Sequence, residues 1–332
     1  MPHSSTPLRI FFTGATGVVG RLAVPKLVSA GHLVTAIARS PASRAALAAQ
    51  GASPVSLDLF EPAAVRRAVE GHDTVINLAT HMPASVFRTM LPWAWRENDR
   101  IRRDASAFLA DAARAAGARR FIQESFAPIY ADGGSQWIDE SWPQQPVPYN
   151  RTVLDAERSA ERFSGDGGDG VVLRFAGFYG ADHFLRDMLD MLRRGWAPLP
   201  GPPGAYWSSV SHHDAATAVV AALALPAGAY NVCDDEPLNR RDWSDALADS
   251  AGAPRPRPLP AWLGAFGGKL MSLLSRSQRM SNGKLKAATG WSPRWPSARE
   301  GLREAVEGLG MRGTGVPSSS STRRSAPATT LS

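Results

Sequence analysis

Through the first half of the chain, short unbroken apolar runs take turns with segments of helical length. Residues 8–14 (LRIFFTG) are followed by 19–31 (VGRLAVPKLVSAG), 33–39 (LVTAIAR) by 43–51 (SRAALAAQG), and 53–59 (SPVSLDL) by 62–71 (PAAVRRAVEG). The run 74–80 (TVINLAT) precedes a longer helical stretch ending in 105–117 (ASAFLADAARAAG), and 119–125 (RRFIQES) comes next. Strands that read as continuous Val, Ile, Leu and Phe are covered on both faces, and helices between them make the sheet parallel. The pattern predicts an α/β fold of Rossmann type, a doubly wound parallel sheet.

The stretch 147–157 (VPYNRTVLDAE) reads as a proline-terminated loop that turns into a helix with Tyr149 in its first turn. A turn at 164–170 and a strand at 171–177 follow, and 195–207 (GWAPLPGPPGAYW) is a loop rich in Pro and Gly. Later segments form a smaller C-terminal substrate-binding lobe over the C-terminal edge of the sheet, where ligands of open α/β folds lie. The expected division is a nucleotide-binding domain over 1–180 with a returning strand near 229–233, a substrate lobe over 181–311, and a disordered tail over 312–332.

Composition narrows this picture. With 332 residues, 44% hydrophobic and 20% charged, the chain is long and apolar enough for a large core. The net charge of +7 is spread along the helices among acidic residues rather than clustered, which argues against nucleic acid as a partner. Cys233 is the single cysteine, so no intramolecular disulfide forms. No apolar window approaches the ~18 residues of a membrane span, and the start lacks a signal-peptide pattern. A cytoplasmic protein without membrane contact is expected.

Gly14, Gly17 and Gly20 stand between the first strand and the first helix. A glycine permits the tight turn, a second lets backbone N–H groups approach a pyrophosphate, and a third lets helix pack closely on strand. Thr16, Val18 and Val19 complete this expected dinucleotide loop. An acidic residue at the end of the second strand would accept from a ribose 2′-hydroxyl, but Arg39 and Ser40 stand there. They suit a 2′-phosphate, so NADP is preferred, with NAD possible. Asp58 and Leu59 are the expected adenine contacts, although Asp58 also suits a helix cap near Glu61; Leu78, Ala79 and Thr80 border the dinucleotide path.

Taken together, these segments resemble the extended short-chain dehydrogenase/reductase family of NAD(P)-dependent epimerases and dehydratases, over about residues 8–310. The matching stretches are TGATGVVG (13–20), NLAT (77–80), LRFAGFYG (173–180), VSHHDAATA (210–218), YNVCDDEP (230–237) and ATGWSPRWPSAREGL (288–302). The resemblance implies that Phe175 borders the nicotinamide, that Tyr149 is the catalytic tyrosine, and that homodimers are possible. It also implies a lysine four residues after that tyrosine and an upstream hydroxyl. A free tyrosine titrates near 10, and a cation beside it lowers that value into a useful range.

In this chain the lysine position holds Val153, and no lysine occurs between Lys26 and Lys269. Arg151 points to another side of the helix. The hydroxyl position, four residues before Tyr130, holds Phe126, leaving Ser125 as the nearest substitute. Asn98 lies one turn before the helical asparagine the family implies, and Arg102 stands in its place.

His212 and His213 are acid/base candidates or structural partners, with Asp214 expected to cap the next helix. His81 and His183 fall in loops facing the cleft. Trp93, Trp95, Trp137, Trp142 and Trp207 either wall the cleft for a less polar substrate or pack between lobes. No metal-ligand spacing is present.

The sequence therefore points to an NAD(P)-dependent oxidoreductase or epimerase acting on a small carbonyl, hydroxyl or sugar-like substrate, with Tyr149 and Ser125 as catalytic candidates. Alternatives are a non-catalytic NADP-binding sensor and a non-redox isomerase or cyclase on the same fold.

Overall fold

The computed structural model describes residues 6–83, 88, 91–257, 273 and 275–310. The expected tail at 312–332 lies outside them.

Thirteen short strands are described: β1 Arg9–Thr13, β2 Leu33–Ile37, β3 Ser53–Val55, β4 Thr74–Asn77, β5 Arg120–Phe126, β6 Trp137–Ile138, β7 Asp169–Phe175, β8 Gly177–Tyr179, β9 Tyr206–Trp207, β10 Ser209–Ser211, β11 Gly228–Val232, β12 Leu238–Asn239 and β13 Arg279–Met280. Seven of them form a parallel sheet in the order β11-β7-β5-β4-β1-β2-β3. Successive residues of each inner strand feed opposite cores, which is why these runs show no polar alternation. Ile10, Phe12, Ile76 and Ile122 pack against helices Gly20–Ser29 and His212–Ala221, and Phe11, Val75 and Phe121 against helices Pro62–Val69, Ser106–Ala115 and Val153–Gly165.

The chain runs outward from β1 through β2 to β3, then returns to β1's other side with β4. The order reverses between β1 and β4, and the crevice at the carboxyl ends of those strands is where such folds take ligands. Helices His183–Arg193, Arg240–Ala251 and Ala298–Gly308 pack into a separate cluster around Trp243, Leu247 and Leu302. The returning strand is β11, so residues beyond 180 contribute to both the sheet and this cluster.

One local expectation is corrected. Tyr149 is not in the first turn of its helix, which begins at Val153. Residues 147–152 form successive tight turns instead, with Asn150 N–H donating to Val147 O and Val153 N–H to Asn150 O. The Asn150 amide fastens these turns by accepting from Val147 N (2.8 Å) and donating to Pro128 O (3.3 Å). Thr152, the residue before the helix, spends its hydroxyl on Asp99 (2.7 Å) rather than on a cap. The side-chain bonds of Asn150 and Thr152 compete successfully with helix extension.

Candidate active site

The glycine loop is built for close backbone approach. Gly14 has φ +75°, and a Cβ there would lie 2.3 Å from Leu78 O. A Cβ on Gly20 would lie 2.2 Å from Gly14 O. Gly17 N–H donates to Gly14 O at 3.0 Å, closing the turn, while Thr16 and Gly17 are exposed, Val18 half-buried and Val19 buried. The helix Gly20–Ser29 starts directly behind, so its positive dipole end meets whatever the loop holds, although Arg21 N–H is taken by Gly17 O and the Leu22 and Ala23 N–H groups by Val19 O. A pyrophosphate fits the positive end of this helix behind an exposed glycine turn.

After β2, where the sequence places the adenosine contacts, Arg39 and Ser40 are both exposed. Ser40 accepts from Ser43 N–H at 3.1 Å in a capping box that starts the helix Pro41–Ala49. Asp58 lies past β3 and accepts from Phe60 N–H at 3.0 Å; it does not cap the helix at Pro62, whose preceding residue is Glu61. Leu59 is half-buried, and the Arg100 guanidinium lies 3.5 Å over the Phe60 ring. Leu78 is buried, Ala79 half-buried and Thr80 exposed along the crevice. Phe175 has a buried side chain, stacked at 5.3 Å on the exposed Phe178.

Where the family resemblance places the hydride transfer, Tyr149 is half-buried and Val153 is completely buried. Ser125 is also completely buried, and its hydroxyl donates to Glu157. Glu157 in turn holds Arg174 in a bidentate pair, 2.9 Å to Nε and 2.7 Å to Nη2. Arg174 Nη1 donates to the Tyr130 hydroxyl (2.8 Å), which donates to Asn231 (2.7 Å). Burial pushes the Tyr130 phenol above its ordinary value, so it stays protonated. The chain of partners ties helix Val153–Gly165 to β5, β7 and β11.

A second buried pair lies nearby. Arg102 Nη2 donates to Glu124 Oε1 at 2.9 Å, from a π-helical turn at Ile101–Ala105 to the penultimate pair of residues of β5. Asn98, one turn earlier and fully buried, accepts from His81 N–H at 2.9 Å.

Similarity to known proteins agrees with this geometry. Residues 14–179 match a family described as NAD(P)H-binding. The chain is 34% identical over 305 residues, 89% of its length and 99% of the relative's, to a 3-diazoavenalumate denitrifying reductase from a Streptomyces species. The chain belongs to this NAD(P)H-binding family. A 4-hydroxy-2-methyl-3-oxo-4-farnesyl-3,4-dihydroquinoline-1-oxide ketoreductase from Stigmatella aurantiaca is 28% identical over 255 residues, covering 74% of each chain. In fold, the chain is similar to a Thermotoga maritima UDP-glucose 4-epimerase solved with UDP-glucose, with a TM-score of 0.73, 20% identity, and 91% and 98% of the two chains covered. The architecture is that of the extended short-chain dehydrogenases/reductases, and the protein is an NAD(P)-dependent oxidoreductase-type enzyme.

Against this family's pattern the structure also places the remaining candidates. Ser211, not Asp214, caps helix His212–Ala221, accepting from Asp214 N–H at 2.9 Å. Asp214 instead accepts from Ser211 Oγ (2.8 Å) and Arg294 N–H (2.8 Å), because the extended residue before the helix has the geometry to cap it. His213 bridges Lys26 and Asp214, each at 3.3 Å. The His212 imidazole is buried 3.5 Å from Asp182, and burial pushes it down to about 4. His81 and His183 are exposed, the latter stacked on Phe184 at 4.3 Å. Trp93 and Trp137 are exposed and each lies under an arginine; Trp95, Trp142 and Trp207 are half-buried, and Trp207 packs on Gly177. Cys233 is a buried free thiol. Among the described residues no cluster of three or more His, Cys, Asp or Glu suits a metal, and no helix is long and apolar enough to cross a membrane. The buried pair Arg102 and Glu124 escaped the sequence reading, because nothing in the motif signals that their side chains meet.

Proposed function

We propose that this enzyme is an NADPH-dependent reductase of a planar, mostly apolar substrate whose hydride acceptor needs no strong proton donor. The observation that carries this reading is Val153, fully buried where the family resemblance places the lysine that activates Tyr149. Phe126, half-buried, likewise stands where that resemblance places the catalytic hydroxyl. Meanwhile all three glycines of the cradle are present, which supports nucleotide binding without a strong acid/base group.

The residues that would hold the nucleotide are Gly14, Thr16, Gly17, Val18, Val19 and Gly20 at the pyrophosphate, Asp58 and Leu59 at the adenine, and Leu78, Ala79, Thr80, Tyr149 and Phe175 along the nicotinamide side. Arg39, with Ser40 beside it, selects the 2′-phosphate. When bound, the reduced nicotinamide supplies a hydride. Tyr149 orients the substrate at the mouth of the pocket, and Ser125, whose hydroxyl is held by Glu157, supports the floor from behind.

A diazonium-type acceptor suits such a site. A hydride reaching the ring carbon forms a C–H bond as the C–N bond breaks, and the bonding pair leaves with dinitrogen, so no proton is needed. The name of the Streptomyces relative, a denitrifying reductase of a diazo compound, supports this acceptor class; that of the Stigmatella relative supports a cyclic, apolar substrate.

The test is NADPH oxidation at 340 nm with a stable quinone diazide and with a matched cyclic ketone. Faster consumption with the diazide, accompanied by dinitrogen release, is expected. Tight NADPH binding with neither substrate consumed would replace this reading with that of a nucleotide-binding sensor.

A further inference from the structure

A cavity of about 360 Å³ lies between the segments that follow β5 and precede β13, lined by Asp132, Gln145, Ser275 and Arg276. Arg276 is 8% exposed, and its Nη1 is fixed by donating to Tyr130 O (2.9 Å) and Gln145 O (2.6 Å). Among the described residues its Nε and Nη2 have no partner, and neither atom is enclosed, so this edge of the guanidinium is open to the cavity. Buried Arg102 and Arg174 each hold a carboxylate, Arg174 with the same Nε–Nη2 edge on Glu157. A buried cation without a counter-ion is costly, and Arg276 is in no ion pair among the described residues.

Asp132 does not fill that role. Its two oxygens accept from Gly134 N–H (2.9 Å) and Ser277 N–H (2.8 Å). Arg240 adjoins the same wall, donating Nη2 to Arg276 O at 2.9 Å. Burial lowers both guanidiniums and the charge of Asp132 opposes this in both, so one carboxylate is shared between two arginines. The cavity is also tied to the turn that carries Tyr149. Ala131 N–H donates to Pro143 O (2.9 Å), Gln145 N–H to Ile129 O (2.7 Å) and Asn150 Nδ2 to Pro128 O (3.3 Å), so a single ribbon of paired chain runs from one to the other.

We infer that this cavity is a carboxylate-binding site, in which the Nε–Nη2 edge of Arg276 takes both oxygens of a planar monoanion. Two parallel charge-assisted hydrogen bonds match that edge to a carboxylate. A dianion meets the charge of Asp132, an ammonium meets that of Arg276, and a primary amide offers one acceptor oxygen where the edge presents two donors. The site goes beyond the reductase reading and does not depend on it. Its carboxylate belongs either to the far end of the reduced substrate or to a separate acid, and kinetics distinguish the two.

Calorimetric titration of the full chain with cinnamate and cinnamamide, at about pH 7 where the acid is ionised, tests the site without turnover. Cinnamate should bind at least about tenfold more tightly than the amide, the range for hydrogen bonds to a charged group. Arg276→Lys keeps the charge but loses the edge, and should weaken cinnamate by about tenfold while leaving cinnamamide unchanged. Gln145→Glu brings a carboxylate into the cavity from its exposed wall. It should abolish the preference for cinnamate without lowering the melting temperature, so the site stays testable should Arg276→Lys fail to fold. In NADPH oxidation with the quinone diazide, a rise in KM at constant kcat on adding cinnamate assigns the site to the substrate's far end. Cinnamate that binds and leaves KM unchanged assigns it to a separate acid. Equal binding of acid and amide by the parent, binding of neither, or an unchanged preference in Gln145→Glu overturns the carboxylate site. None of these outcomes bears on the reductase reading, which falls only if NADPH is bound and neither the diazide nor the ketone is consumed.

Discussion

A methyl group at residue 14 or 20 would stand within 2.3 Å of backbone oxygen, so neither position tolerates a side chain without opening the nucleotide loop. Gly20→Ala is expected to weaken NADPH binding by at least about tenfold, read by calorimetry, because it displaces donors that must meet the pyrophosphate. Arg39→Ala should weaken NADPH by roughly tenfold and leave NADH nearly unchanged, since only the 2′-phosphate loses a charge-assisted bond. Val153→Lys places an ammonium in a fully buried site, so the melting temperature should fall. The same change should raise ketone reduction by about tenfold or more if Tyr149 stands at the hydride site; unchanged reduction removes Tyr149 from that role. The glycines were legible from their spacing, and the absent lysine only through the family resemblance. The partners of Ser125 were not, because strand alternation says which face a residue takes but not what waits there.

At the scale of elements, one buried chain of partners fastens helix Val153–Gly165 to the sheet. Glu157 and Arg174 are 3% and 5% exposed at their side chains and 2.7 Å apart, with Ser125 and Tyr130 bonded to them. Glu157→Ala strands a buried guanidinium and should cost about 3–5 kcal/mol in chemical denaturation. Tyr130→Phe removes only the hydroxyl and should cost about 1–3 kcal/mol. If the helix were held by apolar packing alone, both variants would unfold with the parent. The apolar spacing of this helix was readable, yet its start was not: Asn150 and Thr152 bond to Pro128 and Asp99, which are distant in sequence. Helix His212–Ala221 is likewise capped by Ser211 and not Asp214, whose carboxylate accepts from Arg294 N–H, 80 residues away.

In the whole molecule, His212 packs on Gly180 beside Asp182, and a Cβ on Gly180 would lie 2.1 Å from the ring. Burial, opposed by Asp182 and aided by Arg21, lowers this imidazole from 6.5 to about 4. Above the unfolded value both states are neutral, whereas between the two values the unfolded chain takes a proton that the folded one refuses. Stability should therefore decline as pH falls from 6.5 toward about 4, by about 3 kcal/mol from this group. His212→Leu should flatten that part of the pH profile of melting temperature; an unchanged slope would assign the acid sensitivity elsewhere. The sequence by itself determined the parallel sheet, the glycine cradle, the family and the missing lysine, because periodicity, backbone sterics and fixed motif spacing are local. Only the tertiary structure decided that β11 joins β7, that Ser125 is committed to Glu157, and that Arg102 meets Glu124 beneath the crevice. Pairings across many residues depend on how helices seat against strands, and that packing is settled by the whole core at once.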